Sequence, residues 1–406
     1  MTPELPFALV IGAGPAGLMA ADRLLTAGHR VVLAEAKPSP ARKFLMAGKS
    51  GLNLTKDEPL AAFLTAFAEA EPWLTPALTA FGPAQVAQWA EDLGQPVFTG
   101  SSGRVFPKAM KASPLLRAWL ARLGAAGLDL RPRWRWIGLE NGVFLFDTPT
   151  GPQSLRPSAT VLALGGASWP RLGSDGVWAP ILAAQGVALA PFQPANMGFG
   201  VAWSAHMTPH FGAPLKSIAL IAGPQHIRAE AVLTARGIEG GGIYAISRTL
   251  RDGAPLSIDL FPDLDAQTLA ARLSNRPKGE SATNTLRKAL SLSGARLALV
   301  QECVRPLPAD AGSRAKILKS IPIPITNPHP MAEAISTAGG IRQDAVTDDL
   351  MLRALPGVFA AGEMLDWEAP TGGYLLTASL ATGRQAGEAA ARWLQDHTGQ
   401  NEPAPA

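Results

Sequence analysis

Three glycines near the N-terminus and an acid that follows them carry the clearest chemistry in this sequence. Residues 12–17 read Gly-Ala-Gly-Pro-Ala-Gly, directly after the apolar run 7–11, and Glu35 ends the next apolar run. Glycines at these positions allow a tight turn, a close backbone approach to a pyrophosphate, and close packing of a helix on a strand. A carboxylate at the end of the second run accepts hydrogen bonds from ribose hydroxyls. The residues expected to contact such a dinucleotide are Gly12, Ala13, Gly14, Pro15, Ala16, Gly17, Glu35 and Ala36.

The elements that must position these residues form a β-α-β unit. The run 7–11 predicts a buried parallel strand, residues 18–25 have helical spacing that ends at Gly28, and residues 31–35 predict a second strand. The free N–H groups at the start of the helix favour phosphates. The charge of Glu35 disfavours a 2′-phosphate, so FAD or NAD is expected rather than NADP. A glycine-rich turn without a ligand is the alternative, and the intact unit makes it the weaker one.

A second group of residues near the C-terminus decides between FAD and NAD. An apolar run ends at Ala361, Gly362 and Glu363 follow it, and Gly372-Gly373 opens a long helical pattern. In flavoproteins with two dinucleotide-binding domains, an acid in this place hydrogen-bonds the ribityl chain of FAD. The start of the helix can face the flavin ring and stabilise negative charge on it. An NAD dehydrogenase has no need of this segment, so the sequence predicts FAD.

These segments together resemble the BaiN/RdsA-type NAD(P)/FAD-dependent oxidoreductase family of flavoproteins. The resemblance implies a soluble FAD-dependent oxidoreductase and extends over nearly the whole chain. It places Arg42, Lys43 and Asn53 along the flavin channel, with Gly165 at a strand end, and leaves Tyr374 as a proton donor or a wall. Besides the glycine fingerprint, the matching residues are Arg42-Lys43 and the segments 102–107, 164–170, 173–176, 339–341, 361–366 and 371–374.

One segment departs from the family pattern. The family commonly carries Gly-Gly-Gly-Arg-Cys-Asn after the second strand, whereas residues 48–53 of this chain read Gly-Lys-Ser-Gly-Leu-Asn. Gly51 and Leu52 therefore replace the family's Arg-Cys pair, and Asn53 remains. No role of that pair can be carried over, so the substrate stays unidentified and the chain is expected to belong to a divergent subgroup.

The predicted fold class is α/β. A discontinuous, Rossmann-like FAD-binding domain is expected at residues 1–190 and 339–396, with an inserted β-rich domain at 191–262 and 320–338. Helical spacing predicts a small helical domain at 263–319, and residues 397–406 are expected to be a frayed tail. The prolines in the segment that begins at Ile321 predict an edge strand, because proline cannot donate to a central ladder.

Composition and charge exclude several classes of protein. Only 17% of the 406 residues are charged, which excludes disorder as the main state. The single cysteine, Cys303, excludes an internal disulfide, a Cys-x-x-Cys redox pair and a cysteine-rich zinc site. Residues 272–319 carry ten basic side chains against three acidic ones, although the whole chain has a net charge of only +4. This region is either a solvated helical surface or an electrostatic guide for an anionic substrate, NAD(P)H or nucleic acid.

The sequence therefore predicts an FAD-dependent oxidoreductase that transfers hydride between flavin N5 and an unidentified small molecule. No second complete glycine fingerprint is present, so NAD(P)H, if it is the reductant, is expected to bind transiently. One alternative is an RNA-modifying or RNA-binding flavoprotein that uses the basic region, and another is a non-catalytic flavin-binding sensor. No catalytic acid or base is assigned, and the oligomeric state is left open.

Metal, membrane and export signals are weak. His206 and His210 have a helical metal-ligand spacing, but Pro209 lies between them and makes a helix unfavourable, so no metal site is expected. Glycines and prolines break the uncharged stretches 5–21 and 176–215, which argues against a spanning helix and a signal peptide. A cytoplasmic protein without membrane partners is the expectation.

Overall fold

The computed structural model describes residues 6–49, 51–275 and 279–398. Its contacts divide the chain into two compact units. The first unit is Met1–Gln193 with Ser336–Ala406, and the second is Pro194–Ile335. Ser50 of the divergent segment, Arg276 and Lys278 of the basic region, and residues 399–406 of the predicted tail lie outside the described residues.

The strands and the helices are each numbered in chain order. The strands are β1 (Ala8–Ile11), β2 (Val31–Glu35), β3 (Thr55–Lys56), β4 (Val97–Thr99), β5 (Arg104–Pro107), β6 (Asp129–Pro132), β7 (Arg135–Glu140), β8 (Val143–Asp147), β9 (Gln153–Leu155), β10 (Ala159–Leu162), β11 (Leu189–Ala195), β12 (Phe199–Val201), β13 (Pro214–Ala222), β14 (Gln225–Thr234), β15 (Gly237–Glu239), β16 (Leu256–Asp259), β17 (Ile321–Ile323), β18 (Ile325–Pro328), β19 (Ser336–Ile341) and β20 (Val358–Ala360).

The α-helices are α1 (Pro15–Thr26), α2 (Arg42–Ala47), α3 (Leu60–Thr65), α4 (Glu71–Ala80), α5 (Pro83–Asp92), α6 (Ala112–Ala125), α7 (Trp178–Ala184), α8 (Gly241–Ala245), α9 (Ser247–Arg251), α10 (Ala266–Ser274), α11 (Ala282–Leu290), α12 (Gly294–Cys303), α13 (Ala311–Leu318) and α14 (Tyr374–Thr398). Short 3₁₀ turns occur at Ala68–Ala70, Pro170–Leu172, Ala205–His210, Met331–Glu333, Gln343–Ala345 and Gly362–Met364.

A five-stranded parallel sheet forms the centre of the first unit. Its order is β20-β10-β1-β2-β6, and every neighbouring pair is parallel. All four residues of β1 and of β10 are buried, as an apolar run covered on both faces requires. The carboxyl ends of parallel strands meet at one edge, so Gly12, Glu35, Gly165 and Gly362 are brought to the same side of the sheet. The predicted Rossmann-like α/β fold is confirmed.

Helix α14 packs backbone to backbone on helix α1. A Cβ atom on Gly383 would lie 2.3 Å from the carbonyl oxygen of Ala16, and one on Gly387 would lie 2.6 Å from that of Ala20. Inside the first β-α-β unit, a Cβ on Gly17 would lie 1.8 Å from the carbonyl oxygen of Gly12. The glycines therefore fix the start of α1 against both its strand and its neighbouring helix.

The second unit is an antiparallel sheet covered by helices. The sheet has seven strands in the order β17-β16-β13-β14-β15-β12-β18. Strands β17 and β18 are its two edges; β17 contains Pro322, β18 contains Pro328, and Pro324 lies between them, so the edge prediction is confirmed. The sequence prediction separates a β-rich domain from a helical domain here, whereas both share one hydrophobic core. Core members from strands and helices include Leu220, Ile258, Leu269, Leu286 and Leu299.

Several basic side chains of the second unit form contacts within that unit. Arg314 is 1% exposed and donates to the carbonyl oxygen of Ala309. Lys319 forms a 2.6 Å ion pair with Asp259, and Arg296 lies over the ring of Phe261. The surface charge is therefore smaller than the sequence count indicates. The exposed basic side chains of the described part of this region are Arg272, Arg287, Lys288, Arg305 and Lys316.

Candidate cofactor site

An open cleft lies at the carboxyl edge of the parallel sheet, within the first unit. It contains about 810 Å³ of empty space, part of which is open to solvent. The loop after β1, the end of β2, helix α2 and the segments after β10 and β20 all contribute to it. The structure thus brings residues from both ends of the chain into one cleft. The sequence-predicted residues that line it are Gly12, Gly14, Pro15, Ala16, Glu35, Ala36, Arg42, Lys43, Gly165, Gly362 and Glu363.

The first end of the cleft is formed by the loop between β1 and α1. Gly14 is the N-cap of α1, no side chain caps this helix, and a Cβ atom on Gly14 would have no heavy atom within 4 Å. Pro15 occupies the first helical turn, where its missing N–H removes no hydrogen bond. The backbone here therefore leaves room for a phosphate at a positively polarised helix end. Gly17 does not line the cleft and acts through packing.

Glu35 is tied to the glycine loop by backbone hydrogen bonds. The backbone N–H of Ala13 donates to Oε2 at 2.9 Å, and that of Lys37 donates to Oε1 at 2.7 Å. Burial raises the pKa of Glu35 and outweighs the lowering effect of these two N–H groups. Each carboxylate oxygen can accept a second hydrogen bond, so Glu35 retains acceptors for a ribose. Ala13 therefore contributes through Glu35 and does not itself line the cleft.

Glu363 is held by a side chain from a distant part of the sequence. The ammonium of Lys43 donates to Glu363 Oε2 at 2.7 Å and to the hydroxyl of Ser168 at 2.7 Å. The backbone N–H of Thr337 donates to Glu363 Oε1 at 2.9 Å. At the same strand end, a Cβ on Gly362 would lie 2.8 Å from Cβ of Ala16. The residues predicted for the ribityl chain therefore lie next to the first turn of α1.

Three buried polar side-chain atoms in or beside the cleft have no hydrogen-bond partner among the described residues. They are Nε of Arg42, Oγ of Ser174 and Oδ1 of Asn53. Arg42 and Ser174 line the cleft, whereas Asn53 lies beyond it on the segment that leads to β3. A buried donor or acceptor without a partner destabilises a protein by about 1–3 kcal/mol, so a polar ligand that pairs with them is favoured. These polar groups, together with the open space at Gly14, fit a dinucleotide.

The remaining predicted residues lie at the start of α14, outside the lining of the cleft. Gly373 has a φ of +104°, and a Cβ there would lie 2.4 Å from Cα of Thr55 in β3. The hydroxyls of Thr377 and Thr55 are 2.8 Å apart, which joins the same two elements. Gly372 has a φ of +140°. Only glycine tolerates this combination of left-handed backbone and close approach.

Tyr374 is buried at this place, and its hydroxyl is paired with two charged side chains. Its side chain is 7% exposed, and its ring centroid is 4.7 Å from that of Phe63. Lys56 donates to its hydroxyl at 2.9 Å, and the hydroxyl donates to Glu58 at 2.7 Å. Burial raises the pKa of Tyr374, so the phenol is protonated at neutral pH.

Sequence reasoning missed several residues that the structure brings to this region. Ser174 had a weak signal, a polar side chain in a glycine-rich loop. Thr337 had none, although its hydroxyl accepts from the N–H groups of Ala167 and Ser168 at 2.9 and 3.1 Å. Two tryptophans that line the cleft beside Glu35, and the Lys56–Glu58 pair, could not be identified from spacing either. The missed residues are Lys56, Glu58, Trp134, Trp136, Ser174 and Thr337.

The histidine pair lies in the second unit. His206 and His210 belong to a 3₁₀ turn, with ring centroids 6.3 Å apart. Within residues 6–49, 51–275 and 279–398, no group of three or more His, Cys, Asp or Glu side chains is placed to hold a metal ion. No helix of the same ranges is long and apolar enough to cross a membrane.

Comparisons with known proteins agree with this architecture. A family model described as the HI0933-like protein Rossmann domain matches residues 7–389. The chain is 26% identical to a 3-dehydro-bile acid delta(4,6)-reductase of Clostridium scindens over 407 residues, covering 94% of this chain and 98% of the relative. It is 24% identical to a ribosomal RNA dihydrouridine synthase of Escherichia coli over 387 residues, covering 90% and 93%.

Solved structures share the fold at low sequence identity. A 3-ketosteroid delta1-dehydrogenase from Sterolibacterium denitrificans matches with a TM-score of 0.52 and 13% identity, covering 95% of this chain and 99% of that chain. At this identity the match shows the arrangement of elements alone.

Proposed function

The chain belongs to the HI0933-like family of FAD-dependent oxidoreductases, and we propose that it transfers hydride between FAD and a small-molecule substrate, with NAD(P)H as a transient reductant. The observation that carries this proposal is the single cleft lined by both the N-terminal glycine loop and the C-terminal Gly362-Glu363 segment. The relatives named above are a reductase and a dihydrouridine synthase, and they support redox chemistry at this site.

The chain's own residues divide the work of holding the cofactor. Glu35 accepts from the ribose of the adenosine, and the N-terminus of α1 binds the pyrophosphate. Glu363 accepts from the ribityl chain, while Lys43 balances its charge and fixes its orientation. Asn53 and the Gly372-Gly373 turn hold the ring end. When bound, FAD supplies a hydride donor and acceptor at N5 of its ring.

The first experiment asks whether the protein carries a reducible flavin. The purified protein is expected to be yellow, to release FAD identified by mass, and to bleach under anaerobic stopped-flow conditions with NADH or NADPH. A colourless protein that does not take up added FAD contradicts the proposal. A bound flavin that neither nicotinamide reduces contradicts the reductant and favours a different electron donor.

An RNA substrate is the second candidate, because one relative is named for ribosomal RNA and part of the basic region is exposed. Two of the exposed side chains, Arg287 and Lys316, lie on α11 and α13. RNA retention that weakens with salt and is lost in R287Q/K316Q would favour this candidate. The matched control is R392Q, which removes an exposed arginine of the first unit. Absence of RNA binding at low salt leaves the small-molecule proposal.

A further inference from the structure

A closed set of three side chains joins β3 to the start of α14. We propose that Lys56 and Glu58, fixed on the hydroxyl of Tyr374, act in opposite directions on the reduction potential of the flavin held there, so that the pair keeps their two effects balanced. This inference rests on the proposed function, because it takes the flavin ring edge to lie at the Gly372-Gly373 turn. Lys56 and Glu58 act as positioning and charge residues, since neither they nor Tyr374 line the cleft.

The geometry of the three groups is closed and well supported. Lys56 Nζ donates to Tyr374 Oη at 2.9 Å, Tyr374 Oη donates to Glu58 at 2.7 Å, and Lys56 Nζ lies 2.7 Å from Glu58 Oε2. The ammonium of Lys56 also lies 5.4 Å from the centroid of the Tyr374 ring. Both ends of the ion pair are partly buried, with 30% and 17% of the two side chains exposed. Screening by solvent is therefore weaker here than at a fully exposed pair.

The three groups are rigidly placed with respect to the expected ring edge. Tyr374 directly follows Gly373 and is the first residue of α14. Lys56 directly follows Thr55, whose Cα lies against Gly373 and whose hydroxyl lies 2.8 Å from that of Thr377. The ring of Tyr374 packs against Phe63. These contacts therefore hold the charged groups of Lys56 and Glu58 close to the start of α14.

The two charges oppose each other, and this gives the proposal its distinctive consequence. Reduction adds negative charge to the flavin, which a nearby ammonium stabilises and a nearby carboxylate destabilises. In the intact pair the two effects largely cancel. Removing either charge leaves the other without compensation, so the two single substitutions are expected to shift the reduction potential in opposite directions. A purely structural role of the pair gives no reason for opposite signs.

The experiment measures the midpoint potential of the FAD-loaded enzyme by equilibrium reduction against an indicator dye. K56Q is expected to lower the midpoint potential and E58Q to raise it. Each shift corresponds to about a tenfold change in the ratio of reduced to oxidised flavin at a fixed potential. For a two-electron couple this corresponds to about 30 mV. The double variant K56Q/E58Q is expected to return toward the wild-type value, and K56R, which keeps the charge, is expected to stay close to it.

The matched control is R392Q, which breaks the 2.8 Å pair between Arg392 and Asp349 near the far end of α14, about 27 Å along the helix from Tyr374. Shifts of the same sign in K56Q and E58Q, or shifts no larger than that of R392Q, would overturn the proposal. If K56Q loses its flavin, the potentials of E58Q and K56R, compared with that of the wild type, still test the proposal. A wild-type protein that binds no FAD overturns the proposed function itself, which is a distinguishable result.

Discussion

The two ends of the cleft are built in different ways. At the adenosine end, backbone groups do most of the work: Gly14 leaves open space, and Glu35 is fixed by N–H groups of Ala13 and Lys37. At the end proposed for the flavin ring, side chains from distant parts of the sequence do it: Lys43 reaches Glu363 in the cleft, and Lys56 reaches Tyr374 outside its lining. A site built from backbone depends on where glycines are, whereas a site built from side-chain pairs depends on which partners the fold brings together.

The largest expected effect tests the adenosine end, where room for the backbone is the essential feature. Gly14→Val adds a side chain that meets no protein atom within 4 Å of its Cβ but enters the space expected for the pyrophosphate. We expect FAD affinity to fall by more than about 100-fold, or about 2.7 kcal/mol, while the apoprotein stays folded. Isothermal titration with FAD and thermal unfolding of the apoprotein measure the two quantities.

Gly17→Ala is the contrasting variant. Its Cβ would lie 1.8 Å from the carbonyl oxygen of Gly12, so we expect a loss of folding stability in the apoprotein as well as of binding. A Gly14→Val protein that binds FAD normally would contradict a phosphate site at this loop.

The second prediction tests whether the ring end works through a coupled pair. The Lys43–Glu363 ion pair is partly buried, with 29% and 14% of the side chains exposed. We expect Glu363→Gln to weaken FAD binding by about 10- to 100-fold, because an acceptor is lost and Lys43 keeps its charge without a carboxylate partner. Lys43→Gln in the Glu363→Gln background should then add little. FAD dissociation constants of both single variants and the double variant form the cycle that measures the coupling.

Additive losses would show that Lys43 and Glu363 contact the cofactor independently, and the contrast between the two ends would then disappear. Arg384→Gln is the matched control, since it breaks a partly buried ion pair with Glu388 elsewhere on α14.

The difference between the ends explains what could be predicted from the sequence. The β-α-β unit, the glycine loop and Glu35 are contiguous, and their chemistry follows from local spacing, so they were identified without a structure. Lys56 belongs to a two-residue strand that no periodicity reveals, and Glu58 lies just after that strand. Their partner Tyr374 is more than three hundred residues away. A backbone conformation that requires glycine can be recognised in the sequence, whereas the partner of a lysine side chain depends on the tertiary fold.

The same reasoning applies to the second unit. Helical spacing predicts helices within residues 263–319, and the prolines after Ser320 predict an edge strand. The count of basic residues, in contrast, predicted a more positive surface than the fold retains, because Arg314 and Lys319 point into internal contacts. Charge counted along a sequence does not distinguish a buried guanidinium from an exposed one.

The third prediction concerns how the free energy of unfolding depends on pH, and it isolates the contribution of the Glu35 carboxyl group. Burial holds the pKa of Glu35 above its ordinary value of 4.5, so between that value and the raised one the folded apoprotein binds more protons than the unfolded chain. The free energy of unfolding should therefore fall as the pH rises through this window, by at most about 1.4 kcal/mol per pH unit. Urea unfolding of the wild type and of Glu35→Gln across the window measures this. The variant should lose that part of the slope, and an unchanged slope would contradict the assignment.

The smallest expected effect comes from Tyr374→Phe, which removes one hydroxyl from the ring end without changing any charge. Lys56 and Glu58 remain 2.7 Å apart and can pair without the phenol, so the loss in unfolding free energy should be about 1 kcal/mol. The aromatic contact with Phe63 stays in place. FAD affinity should change by less than about threefold, because the buried hydroxyl does not line the cleft. A loss of tenfold or more would mean that the hydroxyl itself contacts the cofactor, and the ring end would then depend on direct contacts rather than on a pair held behind the helix start.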